Sequence, residues 1–299
     1  MLPIFFLAAI FYALFPLWGA WRVRRSWRHF RETATQALDS PELDFSLVQL
    51  SSAEPKSFRL TGTLEAFEGD DRLWIGNGGV SVAVSLRGTP VYFLDDQPEP
   101  LGPTAVPPRM AQASSLGALP EGTQFLVAGR LIRDRNGQMH FASTDEQRLL
   151  VIAFEGDPAT VLIRAVFAGR PLVDHWNAWT PVSLGIGFVS LLILAYLDLR
   201  TSGDRAAGFV GLALALLPST FFLPPGILLF YGFARTWAGA RHHRARMDLA
   251  LLGGGVGCLT RAHHRRQALV RELIAQLFLA AGAVVNAVLL VLALHWWRG

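Results

Sequence analysis

The sequence predicts an α-helical membrane protein of about four spans, with a small soluble β-barrel, OB-like in its strand pattern, inserted between the first and second spans. Three observations carry this. Hydrophobic residues make up 52% of the chain and the mean hydropathy is +0.34, and the apolar excess is gathered in blocks, the pattern of membrane segments. Between the first two blocks apolar and polar residues alternate with a period of two, as in half-buried strands. Arginines crowd beside the blocks: residues 22–31 hold five arginines and no acid, and residues 235–271 hold eight arginines against Asp248 alone.

Residues 1–21 carry no charged side chain and end in Trp18 and Trp21. A secretory signal opens with basic residues and closes on small ones, so this block reads as a retained span with an aromatic collar. Arg22, Arg24, Arg25, Arg28 and Arg31 follow at once, and the positive-inside bias keeps them in the cytoplasm, with the N-terminus outside. A basic juxtamembrane helix is expected over 22–37, stopping before Asp39-Ser40-Pro41.

The β domain is expected over 38–156. Phe58, Leu60, Gly62, Leu64 and Ala66 alternate with polar partners, and Gly69-Asp70-Asp71 closes that strand. Val80, Val82, Val84 and Leu86 form a second, and Val91 to Leu94 a short third. Six prolines then interrupt residues 95–122, a long loop of the kind that carries recognition on a rigid frame. Phe125, Val127 and Leu131 begin a hairpin for which Asn136-Gly137 offers a two-residue type I′ turn, and Met139 to Ser143 returns. Leu149 to Phe154 is the last strand. Asp157-Pro158 opens a connecting helix, within 157–179, that runs to Ala168 and stops at Gly169.

The second span, 180–198, opens on Thr180-Pro181 and stacks Ser183, Gly187 and Ser190 on one face, where small residues let helices approach closely. The third block, 206–234, would be about 43 Å long as one helix, against a core of about 30 Å. Pro218 and Pro224-Pro225-Gly226 mark it as kinked or broken. A re-entrant hairpin is the competing geometry, disfavoured because it leaves the arginines of 235–271 outside. The last span, 272–297, places Gln276, Ala280, Ala283, Asn286 and Ala287 on a face expected to pack on another helix. Four spans put both termini outside, and the β domain and the basic loop 235–271 in the cytoplasm. A single lysine, Lys56, among 27 basic residues is the usage of a GC-rich bacterial genome and carries no functional weight; the expected location is a bacterial inner membrane.

Residues 32–179 hold 19 acids and 11 bases, a balance of 11 − 19 = −8, which argues against nucleic acid as ligand of the β domain. One cysteine, Cys258, excludes an intramolecular disulfide and a multi-cysteine zinc site; it reads as a small apolar filler despite Arg261 and Arg265 nearby. Arg241-His242-His243-Arg244 and His263-His264-Arg265-Arg266 form a near-repeat. Adjacent histidines point apart and arginines repel a cation, so no metal is expected. Arg241, Arg244, Arg265 and Arg266 read instead as a contact for an anionic lipid headgroup, or as plain topology determinants. Gly253-Gly254-Gly255 lacks the lysine and hydroxyl of a phosphate loop. Asp174-His175 has no nucleophile at a recognisable spacing. No catalytic residue and no cofactor are predicted.

An initial span, a β region ending GTQFLVAGRLIRDRNGQMHFAS…LLVIAFEGD, and a following span resemble the GIDE-type domain of organellar membrane-anchored ubiquitin ligases and of prokaryotic membrane proteins. The likeness rests on residues 119–157. Those ligases carry a cysteine-rich zinc RING, which one cysteine cannot build, so ligase activity is not carried over. What the resemblance implies is a membrane-tethered β module for protein–protein contact, without catalytic residues. The expected function is therefore a cytoplasmic adaptor, scaffold or sensor domain on an inner-membrane protein, its partners the lipid bilayer and another protein. A transport or channel component using the broken third span is the alternative, and a membrane-embedded enzyme acting on lipid the third. Nothing in the residues sets an oligomeric state.

Overall fold

The computed structural model describes residues 1–43, 57–69, 71–97, 101–102, 106–112, 116, 119–134, 137–145, 147–170, 176–201, 205–220, 224–252 and 257–298. They divide into two units, Met1–Ser26 with Pro171–Gly299, and Trp27–Arg170.

The second unit is built on eight strands: β1 Ser57–Glu68, β2 Arg72–Asn77, β3 Val80–Ser85, β4 Val91–Leu94, β5 Arg109–Ala111, β6 Gln124–Arg133, β7 Met139–Ala142 and β8 Leu150–Phe154. Five of them close a barrel in the order β1-β2-β3-β7-β6, with β6 returning to β1 and a parallel step between β3 and β7. Strand β1 makes closure possible. Ser57 to Thr63 pair with β6 while Thr63 to Glu68 pair with β2, and the register shifts between Leu64 and Ala66. Such an irregularity bends a strand and lets one ribbon serve two neighbours. The other edge of β6 is shared too: Arg130 to Arg133 meet β7, and Gln124 to Ala128 meet β8. Strands β8, β4 and β5 thus extend the sheet beyond the barrel.

The alternating residues fill the barrel as expected. Leu60, Leu64, Leu73, Ile75, Val82, Val84, Phe125, Val127, Leu131 and Phe141 belong to one buried cluster. Strand β8 is buried along its whole length, as are Leu126 and Ala128 of β6, so these strands are covered on both faces. Part of the cover is helical. Helix α2, Phe15–Asp39, brings Phe30 to 4.2 Å from the Tyr92 ring centroid and against Gly169, and Arg31 Nη1 donates to the Gly169 carbonyl at 2.6 Å. Helix α3, Val161–Ala168, follows a single turn, Pro158–Thr160, capped by Asp157, whose carboxylate accepts from the Ala159 amide at 3.0 Å.

Three features of this unit depart from the sequence reading. The two-residue turn lies in the β2–β3 hairpin, where Asn77 pairs with Val80 and Gly78 and Gly79 have φ of 62° and 90°; a Gly-Gly pair adopts two such conformations in succession at no steric cost. Strand β2 was hidden from the period-two count by the glycines that bound it. The β6–β7 hairpin does not use a type I′ turn at Asn136-Gly137. Its last pair is Arg133 with Met139, Asp134 N–H donates to the Gln138 carbonyl at 2.8 Å, and Gly137 N–H donates to Asp134 at 2.9 Å. That is a three-residue loop with Gly137 at its positive-φ position; Asn136 itself lies outside the described residues. Residues 95–122 are not one open loop either, since β5 and the fully buried Leu116 tie them down.

The first unit is helical. Helix α1, Leu2–Ala9, passes through a π-helical segment, Ile10–Leu14, into α2. Helices α4 Trp179–Thr201, α5 Arg205–Thr220, α6 Gly226–Leu252 and α7 Gly257–Arg298 complete it. Among the described residues three stretches are long and apolar enough to cross a bilayer: Leu2–Asp39, Trp179–Arg200 and Thr260–Ala293. The block 206–234 is divided. Its first part is α5, whose 16 residues make about 24 Å, short of a core of about 30 Å; its last part is the start of α6. The breaks expected at the proline cluster are there, while Pro218 sits inside α5. The segment 235–271, expected as a basic loop, is helical on both sides of the undescribed residues 253–256. Arginine, histidine and alanine are adequate helix formers, and two facing helices give each the packing that an isolated one lacks.

Candidate functional site

Three places bring polar or exposed groups together. The first is where α4 meets the π segment. A π turn leaves a backbone carbonyl poorly served by its own helix, and Ser183 Oγ donates to the Phe11 carbonyl at 2.5 Å. One turn on, a Cβ at Gly187 would stand 2.7 Å from Phe11 Cβ and Tyr12 Cε1, so glycine is what permits the approach. Tyr12 Oη donates to the Ala215 carbonyl of α5 at 3.3 Å. Ser190, the third residue of the expected small face, is half-buried. In α7 the expected polar face separates. Asn286 is 3% exposed, whereas Gln276 is exposed. Ten positions at 100° each bring them about 80° apart, too far for one narrow stripe. Helix α4 is capped by Asn177, whose Oδ1 accepts from the Trp179 amide at 3.0 Å, rather than by Thr180.

The second place is the α6–α7 hairpin, where the two halves of the near-repeat meet. His243 Nδ1 lies 3.1 Å from His264 Nδ1, a hydrogen bond in which the two rings hold opposite tautomers. Arg244 makes a bidentate pair with Glu272, both contacts 2.9 Å, and the Arg271 guanidinium lies over Gly239, where a Cβ would be 2.2 Å from Nη1. Burial, then the Arg271 charge, then the neighbouring histidines push the His243 pKa down to about 4. Burial followed by Arg246 and Arg271 lowers that of His242. The His242 and His243 rings are therefore neutral at pH 7 and stand in a positive potential. Of the four arginines expected to contact lipid, Arg244 is taken up by Glu272 and Arg241 is half-buried, while Arg265 and Arg266 are exposed. Sequence reading missed the cross-helix histidine pair and the Arg244–Glu272 clamp. The repeat itself was the available signal.

The third place is the outer end of the sheet. Strand β5 is last in the order, paired on one side with β4 through Val91–Ala111, Tyr92–Met110 and Phe93–Arg109, and no described strand lies on its other side. The segment leading to it is held in shape. Gln97 pairs with Val106 backbone as a strand would, Nε2 donating to the carbonyl at 3.2 Å and Oε1 accepting from the amide at 3.0 Å. Arg109 Nη2 meets Asp95 Oδ1 at 2.8 Å. Leu116 anchors the exit in the core. On this frame Leu101, Val106 and Met110 are exposed, Met110 by 54%. Beneath it Arg164, 4% exposed, donates from Nη1 to the Glu155 carbonyl at 2.7 Å and from Nη2 to the Asp95 carbonyl at 2.8 Å, binding the ends of β8 and β4 to α3.

A wide polar cleft of about 460 Å³ is lined by Gln36, Asp39, Ser57, Arg130 and Gln147. It brings the Asp39 carboxylate, the Arg130 guanidinium and the hydroxyls of Ser40 and Ser57 to one cleft, with no histidine or cysteine in the lining. Among the described residues no group of three or more His, Cys, Asp or Glu could hold a metal ion. Asp174 and His175 lie outside the described residues, as does the Cys258 side chain. Fold and sites together define a membrane-embedded helical protein carrying a small five-stranded β-barrel domain. Comparison with protein-family models, with curated proteins and with solved structures finds no match.

Proposed function

We propose that this is a bacterial inner-membrane protein of four spans, with both termini outside, whose β domain is a cytoplasmic adaptor that holds a protein partner. The observation that carries the reading is the outer edge of β5. It is a short strand with no neighbour on its outer side among the described residues, braced by Gln97, Asp95 and Leu116, and fronted by exposed Met110, Val106 and Leu101. An edge of this kind accepts an extended segment of another protein, backbone pairing giving affinity and apolar side chains giving selectivity. The resemblance of residues 119–157 to GIDE-type domains, which implies a contact module, supports the same conclusion, and the arginines of 22–31 and 235–271 support the sidedness.

A photo-crosslinking residue at 110, introduced in the full chain in its native membrane, tests the adaptor reading. A discrete protein adduct that disappears when the exposed Val106 and Leu101 are both replaced by aspartate is the expected result. Adducts with lipid alone would overturn it. Reporter fusions test the topology separately: a reporter at residue 140 that is active in the periplasm refutes the cytoplasmic assignment. A transport component is the second reading, favoured by the buried Asn286 and by the division of 206–234 into two helices.

A further inference from the structure

We propose that the cytoplasmic end of the α6–α7 hairpin is a binding site for an anionic phospholipid, its phosphate held by Arg265 and Arg266 and its acyl chains laid along the outer face of α7. The inference rests on the membrane-embedded reading above. Arg266, Leu269, Val270, Leu273 and Leu277 all fall within about 60° of one line on the helix at 100° per residue, with Arg265 at its flank. All six are exposed, Leu273 and Leu277 by 63% and 60%. The stripe therefore passes from guanidinium to hydrocarbon within one turn, at the spacing at which a phospholipid passes from phosphate to chain.

The surroundings favour an anion at that end. Segment 235–271 carries eight arginines against Asp248, and Glu272 is occupied by Arg244. The field is felt by the neighbouring imidazoles: Arg246 and Arg271 both bias His242 toward its neutral form. The same potential repels a metal cation. The His243–His264 contact and the Arg244–Glu272 clamp hold the two helices in register, so Arg265 and Arg266 stand at a fixed height on the hairpin. A headgroup bound there fixes the depth of α7 in the bilayer.

The test is native mass spectrometry of the full chain in detergent, offered equal amounts of phosphatidylglycerol and phosphatidylcholine. The wild type retains phosphatidylglycerol preferentially. Arg265→Gln with Arg266→Gln weakens its retention roughly thirtyfold, five- to sixfold per arginine, while Arg265→Lys with Arg266→Lys keeps most of it. Leu273→Ser with Leu277→Ser weakens it as well, and millimolar inorganic phosphate does not displace it. Equal retention of the two lipids, or an unchanged preference in the glutamine variant, overturns the proposal. So does displacement by inorganic phosphate, which identifies a free-anion site. A chain that stays in solution without detergent and carries no lipid refutes the membrane reading itself, an outcome distinct from indifferent lipid binding.

Discussion

Replacing Arg164 by methionine measures how the β8–β4 sheet is held to α3. The stem is kept and the guanidinium lost. At 4% exposure the side chain is inside the protein, and its two hydrogen bonds, 2.7 Å to the Glu155 carbonyl and 2.8 Å to the Asp95 carbonyl, are made by a charged donor. Such bonds contribute about 1.5–3 kcal/mol each, so the loss is about 3–6 kcal/mol. The contact with Asp96, 3.6 Å to a carboxylate that is two-thirds exposed, adds little. Against this stands relief from burying a cation whose Nε has no hydrogen-bond partner among the described residues, worth roughly 1–2 kcal/mol at the scale of an unmet polar group. The net expectation is a loss of about 2–4 kcal/mol. Hydrogen exchange of the full chain in detergent reads it directly: amides of β8 and β4 exchange roughly 30- to 1,000-fold faster in the variant when opening is the rate-determining equilibrium. Arg164→Lys recovers part of the protection, because one ammonium cannot span both carbonyls. Unchanged or increased protection in the methionine variant refutes the reasoning, and shows that the cation is tolerated there rather than used.

Three further outcomes follow from the same geometry. The His243 pKa is depressed to about 4 from an ordinary 6.5, so the folded hairpin favours the neutral ring; this stability is complete above pH 6.5 and is lost as the pH falls toward 4. Thermal unfolding in detergent at pH 7.5 and 4.5 reports it, and His243→Phe narrows the difference; an equal difference in wild type and variant refutes it. Gly187→Leu drives a side chain into Phe11 and Tyr12 and costs about 1–3 kcal/mol by overpacking, seen as a lower unfolding temperature, whereas Gly185→Leu, with open space around it, changes little. Asn286→Leu distinguishes the transport reading: flux through reconstituted vesicles falls if Asn286 lines a path, and unchanged flux removes that reading.

How much was legible depends on whether the signal was local. The alternation at Phe58–Ala66 and at Phe125–Leu131, the cap at Asp157 and the stop at Gly169 are encoded within a few residues, and each element stands where its own pattern puts it. The turn chemistry was local as well but degenerate. Asn-Gly and Gly-Gly both supply positive φ, and which of them becomes a two-residue turn depends on the register of the flanking strands, a property of pairing rather than of the dipeptide. Strand β5 has only three residues and owes its existence to β4 and to the Gln97–Val106 brace, so no window of sequence contains it.

The α6–α7 hairpin shows why a site can be present in the sequence and still unread. Within one helix His242 and His243 diverge by about 100°, and so do His263 and His264, which is why the near-repeat gave no convergent group by itself. Convergence comes from the facing helix, which brings His243 and His264 together. The same selection sorts the arginines. Arg244, one position after His243, reaches Glu272, eight positions after His264, and an arginine turned toward the facing helix in this way is neutralised by its partner. Arg265 and Arg266, on the outward side, keep their charge for whatever surface the hairpin faces. Four equivalent cations in the sequence thereby divide into structural and available ones by helical phase alone. Moving an arginine by two positions, from 266 to 268, puts it in place of the buried Ala268 and removes it from the outer stripe, so phase, rather than local charge density, decides whether this end of α7 can hold an anion.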